Sequence, residues 1–495
     1  MSALPEQPSR RTGHQVRAGR RPRGDRSRPG GAARSREQGG AGLAGLVEPG
    51  ESVLVVGLAV TGAAVARHLL GAGIPVVAVD DRPGPECRSR AASLGIPLVE
   101  APSALRLGEL GKTVGLVVVS PGVPIDHPAL DLAAPVVSEV EIAGRLAAVA
   151  GLPLVGVTGT NGKTTVTTIV AEMLVASGRR AVAAGNIGVP LVDVVAGDAV
   201  AGLDVVVAEL SSFQLAFTER FRPQVGVWLN LTEDHLDWHK TLAHYEAAKA
   251  RVWARQGAGD VAVVNLDDPV VAAWGAEAPA EWHLTYGLSR GAYHEADGWL
   301  RTPGGEGIIP VDELWRALPH DRSNALAACA AALAAGADLP ACRRVLSTFG
   351  GLHHRIELVG EAGGVRWLDD SKATTPASVA AALAGFSSVV LIAGGRNKGL
   401  HLGGLGAHAD RVRAVVAIGE AAPEVEQAFA GTGASVARAA SMAEAVDAAD
   451  RVARSGDVVL LSPGCASFDW YNSYAERGRD FAREVRRRLR GRRGG

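Results

Sequence analysis

From residue 51 onward the chain repeats one pattern: a short apolar run, a glycine-bearing turn, then an alanine-rich stretch of helical length. Val53–Gly57, Val76–Asp80, Val114–Ser120, Leu154–Thr158, Val205–Leu210, Val225–Leu231 and Val261–Leu266 are such runs. Consecutive apolar residues bury both faces of a strand, and their alternation with helices predicts parallel sheets covered on both sides. The fold class expected is α/β throughout. Ligands of such sheets bind beyond the carboxyl ends of the strands, so the polar residues that follow each run are where chemistry is sought.

The pattern is absent from residues 1–42, which hold ten arginines, three acids and almost no large apolar residue. Such a segment cannot offset the entropy of ordering its backbone and is read as a disordered Arg-rich tail. Its charge of +7 leaves −8 on the rest of a chain whose net charge is −1. No aromatic residue is interleaved with these arginines, so nucleic-acid binding is not expected. The Arg-rich stretch Arg483–Arg493 is read instead as the close of a final helix. A length of 495 residues suggests about three domains. No apolar run reaches the length of a membrane span, and the first 40 residues lack a signal-peptide core, so a soluble, cytoplasmic protein is expected. Cys87, Cys329, Cys342 and Cys465 have neither metal-site spacing nor the density of a disulfide scaffold.

The first glycine turn, Gly57 to Gly62, followed by Asp80 and Asp81 at the next strand end, is built like the opening of a dinucleotide fold. The full fingerprint needs glycine at 59, and the methyl of Ala59 hinders close approach of a pyrophosphate. A Rossmann-like domain holding another nucleotide, or none, fits better than one holding NAD.

The strongest local signal is Leu154–Thr165, a strand running through Gly159-Thr160-Asn161-Gly162-Lys163-Thr164-Thr165 into a helix. Backbone N–H groups of such a turn and the helix N-terminus cradle phosphates, Lys163 reaches the outer phosphate oxygens and the Thr164 hydroxyl a magnesium ion. Val157 replaces the first glycine of the longer P-loop pattern, so this is a shorter variant. Glu209, at the end of the run Val205–Glu209, offers magnesium a hard oxygen ligand, and His235 follows the next strand in Asn-Leu-Thr-Glu-Asp-His-Leu-Asp (230–237).

Of 51 basic residues only six are lysines: Lys112, Lys163, Lys240, Lys249, Lys372 and Lys398. In a chain that uses arginine for almost every cation, a surviving lysine marks a place where a compact charge or a deprotonatable amine is wanted. Lys249, on the helix after His235, can do what arginine cannot: a neutral amine takes up carbon dioxide to become a carbamate, an anionic oxygen ligand.

The ordered set Gly-Leu-Ala-Val-Thr-Gly (57–62), Ser-Pro-Gly-Val-Pro (120–124), the phosphate turn, Gly-Asn-Ile-Gly (185–188), Glu-Leu-Ser-Ser-Phe-Gln (209–214), residues 230–237, His-His-Arg-Ile-Glu (353–357), Asp-Asp-Ser-Lys-Ala-Thr (369–374) and Leu-Ser-Pro-Gly-Cys-Ala-Ser-Phe-Asp (461–469) resembles the Mur ligase family, and within it the branch that adds D-glutamate. The resemblance spans residues 50 to 485. It implies three domains: a Rossmann-like N-terminal domain for the UDP end of the substrate (43–147), a central P-loop ATPase domain with a parallel sheet (148–350) and a Rossmann-like C-terminal domain for the incoming amino acid (351–495). The implied substrates are UDP-N-acetylmuramoyl-L-alanine, D-glutamate and ATP with two Mg²⁺, and the implied state is a monomer.

Carried over by position, Val60, Thr61, Asp81, Arg82 and Asn186 match the nucleotide-substrate contacts. Lys163, Thr164, Glu209 and His235 match the ATP and magnesium set, with Lys249 as the carbamylated lysine. Lys163, His235 and Lys249 form the implied catalytic group. Asn324, Arg355 and Asp370 match ATP contacts, and Lys372, Thr374, Lys398, Ser467, Phe468 and Tyr474 match the amino-acid pocket. The chain departs from the family at His320-Asp321, where His-Asn is usual, which leaves that nucleotide contact open. Phe468 and Tyr474 replace other apolar residues. Two rival readings remain: a related ligase with a different amino acid such as L-glutamate, and a P-loop nucleotide switch.

Overall fold

The computed structural model describes residues 43, 45–196 and 198–493; the Arg-rich tail lies outside them. The first sheet comprises β1 (Ser52–Val56), β2 (Val76–Asp80), β3 (Leu98–Glu100), β4 (Val114–Val119) and β5 (Val136–Ser138) in the order β3-β2-β1-β4-β5, with every pair parallel. The order reverses between β1 and β4, which opens a crevice at their carboxyl ends. Gly62 lets the helix Val60–Gly71 sit close to that turn: a Cβ there would lie 2.0 Å from the carbonyl oxygen of Gly57.

The middle sheet, β6 (Leu154–Thr158), β7 (Ala181–Gly185), β8 (Val205–Glu209), β9 (Val225–Trp228), β10 (Val261–Asn265) and β11 (Trp282–Tyr286), runs β11-β10-β9-β6-β8-β7 and is also parallel. Its two faces are buried as the uninterrupted apolar strands require: the helices Lys163–Ala176 and Pro319–Ala334 cover one. The other shares a core with the first sheet, through Val53, Val55, Leu154, Val206 and Trp228.

Two antiparallel elements break the expected all-parallel pattern. A small sheet of β12 (His294–Ala296), β13 (Trp299–Arg301) and β14 (Gly307–Pro310) turns at Asp297-Gly298, and β15 (Glu357–Ala362) returns as β16 (Val365–Asp369) through Gly363-Gly364. All four turn residues have positive φ (52°, 74°, 59° and 73°), the type I′ geometry whose twist matches a two-residue hairpin. These dipeptides, rather than strand hydrophobicity, set the local direction.

The third large sheet continues with β17 (Val389–Gly394), β18 (Val412–Ile418), β19 (Ser435–Ala439) and β20 (Val458–Leu461) in the order β15-β16-β20-β17-β18-β19. It has its own apolar clusters on both faces. The chain closes in the helix Tyr474–Arg493, as its arginines suggested. Among the described residues no helix is long and apolar enough to cross a membrane.

Candidate active site

The turn after β6 is shaped by Gly162, whose φ of 84° begins the helix Lys163–Ala176. The turn is anchored from the neighbouring strand: Asn230, the second residue beyond β9, accepts from the Asn161 N–H at 2.8 Å and donates to its carbonyl at 3.1 Å. Thr160 donates to the Thr232 carbonyl at 3.1 Å, accepts from the Thr232 N–H at 3.0 Å and lies 3.1 Å from the Tyr245 hydroxyl. The helix start directs unpaired N–H groups and a positive dipole at the space above the turn. Lys163 curls over it, donating to the carbonyls of Gly159 and Thr160, both at 2.8 Å.

The Gly159 carbonyl accepts a second ammonium, that of Lys249, at 2.7 Å. Lys249 is 1% exposed and its Nζ lies 4.6 Å from the centre of the Tyr245 ring. Burial first, and the Lys163 charge second, hold its pKa well below the ordinary value, against the pull of Asp234 and Glu209. Glu209, at the end of β8, is equally buried. Its Oε1 accepts from the Asn186 amide at 2.8 Å, while Oε2 has no partner among the described residues. His235, held in the left-handed region at φ 56°, is kept below its ordinary pKa chiefly by burial, with Asp234 at 3.3 Å opposing. The group thus combines a neutral imidazole, an orphaned carboxylate oxygen and a lysine biased toward its free amine, with the Thr164 hydroxyl at the helix start. Of these, the carboxylate oxygen and the hydroxyl are ligands that suit a hard divalent cation.

Across the turn lies a cleft between the middle and C-terminal units, lined by Asn161, Gly162, Thr165, His320, Asn324, Arg355, Asp370 and Ser378 among others. The Asn324 amide stands against Gly162, where an added Cβ would meet its Oδ1 at 2.5 Å. Asp370 accepts from Ser462 at 2.8 Å and is pushed up to about 7 by burial. The C-terminal unit reaches the phosphate turn through two polar contacts: Ser378 donates to Asn161 Oδ1 at 2.7 Å, and Lys372 Nζ to Thr164 Oγ1 at 3.2 Å.

Lys372 therefore stands beside the phosphate turn as well as beside Tyr474, whose ring centre is 5.5 Å from its Nζ. Lys398 lies 5.9 Å from the ring of Phe468, which is exposed, while Ser467 is buried and Thr374 half-buried. The loops carrying these side chains are tied together by Arg477, buried at 1% exposure. It donates to the Ser371 hydroxyl and carbonyl at 3.0 and 2.9 Å and to the carbonyls of Cys465 and Ala466 at 3.1 to 3.3 Å.

The crevice of the first sheet is a cavity of 580 Å³ that brings together Val60, Thr61, Asp81 and Arg82 with Ser120, Pro124 and His127. Asp80 also lines it, but its carboxylate is engaged by the N–H groups of Leu58 and Arg82 at 3.1 and 3.0 Å. Asp81 is the freer acid, facing the His127 ring at 3.3 Å.

Three family domains match the chain in order: the Mur ligase MurD-like N-terminal domain over residues 51–144, the Mur ligase middle domain over 157–332 and the Mur ligase glutamate ligase domain over 354–465. A UDP-N-acetylmuramoylalanine–D-glutamate ligase of Frankia casuarinae is 44% identical over 456 residues, covering 89% of this chain and 94% of the relative. The chain belongs to the Mur ligase family. A ligase of the same name from Symbiobacterium thermophilum is 40% identical, covering 87% of this chain and 97% of its own. In fold, this Mur ligase is similar to a pseudomurein peptide ligase type C from Methanothermus fervidus (TM-score 0.56, 20% identity, 89% of this chain and all of that one). It is also similar to the UDP-N-acetylmuramate-alanine ligase from Thermotoga maritima (0.54, 20%, 88% and 99%).

The structure of this Mur ligase also engages residues that the sequence did not single out. Asn230 was readable, since it follows a strand end. Ser378, Arg477 and Arg316 were not, because each acts on backbone or side chains far along the chain. Asp321, where the family usually has asparagine, is paired by Arg316 at 2.6 and 2.8 Å. The close approach at Gly162 makes one expectation definite. Gly162→Ala must place a Cβ 2.5 Å from Asn324 Oδ1 at a φ that alanine rarely adopts. The variant should fold yet bind nucleotide at least tenfold more weakly, as read by calorimetric titration with ADP.

Proposed function

We propose that this Mur ligase joins D-glutamate to UDP-N-acetylmuramoyl-L-alanine, using ATP to activate the alanyl carboxylate as an acyl phosphate. The observation that supports the reading is the contact between Lys372 and Thr164: it brings the loop read as the amino-acid side onto the phosphate turn, as a phosphoryl donor and an amine sharing one space would require. The names of the relatives supply the amino acid, its stereochemistry and the nucleotide, which the geometry alone does not specify.

In this reading the crevice around Val60, Thr61, Asp81 and Arg82 holds the UDP end, with Asn186 nearer the reacting carboxylate. ATP lies along residues 159–165, its base side toward Asn324, Arg355 and Asp370. The alanyl carboxylate attacks the γ-phosphorus, ADP leaves, and Lys163 offsets charge on the transferring group. The amine of glutamate then attacks the acyl carbon; phosphate is expelled with the carboxylate oxygen and an amide remains. Lys372, Lys398, Ser467 and Thr374 orient the amino acid, while Phe468 and Tyr474 shield it from water that would hydrolyse an acyl phosphate. Thr164, Glu209, His235 and Lys249 fit a magnesium site, the last after addition of carbon dioxide to its free amine; bound there, magnesium would neutralise phosphate charge. We place the domain divisions near residues 147 and 350. The first of these falls within the helix Glu139–Ala150, and Ala150 is its natural end.

The test is phosphate release from ATP with the nucleotide substrate and D-glutamate, L-glutamate, meso-diaminopimelate or no amine. Release stimulated by D-glutamate supports the reading; release indifferent to every amine returns the chain to a nucleotide switch. A second expectation concerns pH. Burial lowers Lys372 to about 8, helped by Arg355. It is charged below that pH and neutral above it, so the KM for glutamate should rise as pH passes through about 8. In Lys372→Arg, where the charge persists, that rise should vanish even if turnover is reduced.

A further inference from the structure

Arg316, in the segment before the helix Pro319–Ala334, lines the same cleft, but its donors are spent on protein groups in an unusual way. Nε and Nη2 grip Asp321 in a fork at 2.6 and 2.8 Å, and Asp321 is 1% exposed. Nη1 donates to two successive carbonyls, those of Arg355 at 2.9 Å and Ile356 at 3.0 Å. These residues form the passage from the middle unit into β15.

The backbone of that passage is strained. His354 has φ 61° and Ile356 φ 49°. A β-branched residue in the left-handed region is a true outlier and persists only where its surroundings over-determine it. The surroundings here are the Arg316 pair of bonds, the Glu357 carboxylate accepting from the His354 N–H at 2.9 Å, and the Lys372 N–H donating to the His354 carbonyl at 3.1 Å. Between the two strained residues sits Arg355. Its side chain is half-buried and lines the cleft wall with Asn324 and Asp370, and its buried Nε has no partner among the described residues. Trp315 steadies the clamp by packing edge-on against Phe349 at 5.1 Å.

We propose that Arg316, locked by Asp321, is a positioning residue that sets Arg355 for ATP by clamping the carbonyls of Arg355 and Ile356. The proposal rests on the ATP reading of the cleft. Without the clamp Ile356 relaxes toward an ordinary φ and carries Arg355 away from the nucleotide. Asp321 is then a buried carboxylate that has lost its guanidinium and keeps only the His320 ring at 3.5 Å, a separate electrostatic fault that the test must remove.

The experiment measures ADP affinity by calorimetry and melting temperature for the wild type, Arg316→Ala, and the double variant Arg316→Ala/Asp321→Asn, with KM values for ATP and D-glutamate. Arg316→Ala should weaken ADP at least tenfold, lower the melting temperature and raise KM for ATP by more than KM for glutamate. The double variant, freed of the stranded charge, should regain melting temperature but keep the weakened ADP affinity. Wild-type ADP affinity in Arg316→Ala, or its recovery in the double variant, overturns the proposal. A wild type that binds ADP but makes no amide sinks the ligase reading while the clamp is still decided by the same titrations; a wild type that binds no ADP sinks both.

Discussion

Lys163→Ala should lower turnover about a thousandfold while leaving a folded protein, because the lost ammonium acts on charge that grows only as the γ-phosphoryl group moves. Its Nζ donates to the carbonyls of Gly159 and Thr160, polar contacts within the turn itself. The turn keeps its shape through Asn230 and Thr232. Thermal unfolding should therefore stay close to wild type. kcat should fall together with kcat/KM for ATP, the signature of an interaction made in the transition state. A variant that lost only affinity, with kcat intact, would make Lys163 a ground-state anchor.

Lys249→Ala should produce a comparable loss, on the order of a thousandfold, with a different signature. The native amine is buried beside a second ammonium and is biased toward its neutral form, the form that adds carbon dioxide and releases a proton. If the resulting carbamate is what the site uses, alanine leaves a gap that a short carboxylic acid such as acetate or propionate can fill. Added carboxylate should then restore part of the turnover in Lys249→Ala, with no effect on the wild type, and Lys249→Arg should be neither active nor rescued. Full activity in Lys249→Ala without any additive would end the carbamate reading.

Legibility in the sequence followed the range of the forces involved. The phosphate turn depends on a strand, two glycines and a helix start within a dozen residues, and it could be read directly. So could the strand ends that deliver Glu209 and Asn230. Lysine scarcity pointed to all six lysines and the resemblance to four; the structure sets Lys163, Lys249 and Lys372 against the phosphate turn and Lys398 beside Phe468, while Lys112 and Lys240 are exposed. The antiparallel hairpins were carried by Asp297-Gly298 and Gly363-Gly364, a turn chemistry that strand hydrophobicity does not report. Arg316 was out of reach, since its two carbonyl acceptors lie 39 and 40 residues away and nothing in its own segment repeats. The departure at Asp321 was visible as a letter, but its meaning required the partner guanidinium. Lys372 was assigned by resemblance to the amino-acid side alone, whereas its bond to Thr164 crosses 208 residues to the phosphate side.

The central claim is that the γ-phosphoryl group passes to a carboxylate and then yields to an amine. It is tested most directly by giving the enzyme UDP-N-acetylmuramoyl-L-alanine labelled with oxygen-18 in its alanyl carboxylate, together with ATP and D-glutamate, and weighing the phosphate released. An acyl phosphate requires that each phosphate leave with one carboxylate oxygen, so phosphate heavier by a single oxygen-18, formed in step with the glutamyl amide, is the result expected. Unlabelled phosphate would mean that water attacked the γ-phosphorus, as in a nucleotide switch, and would contradict the account.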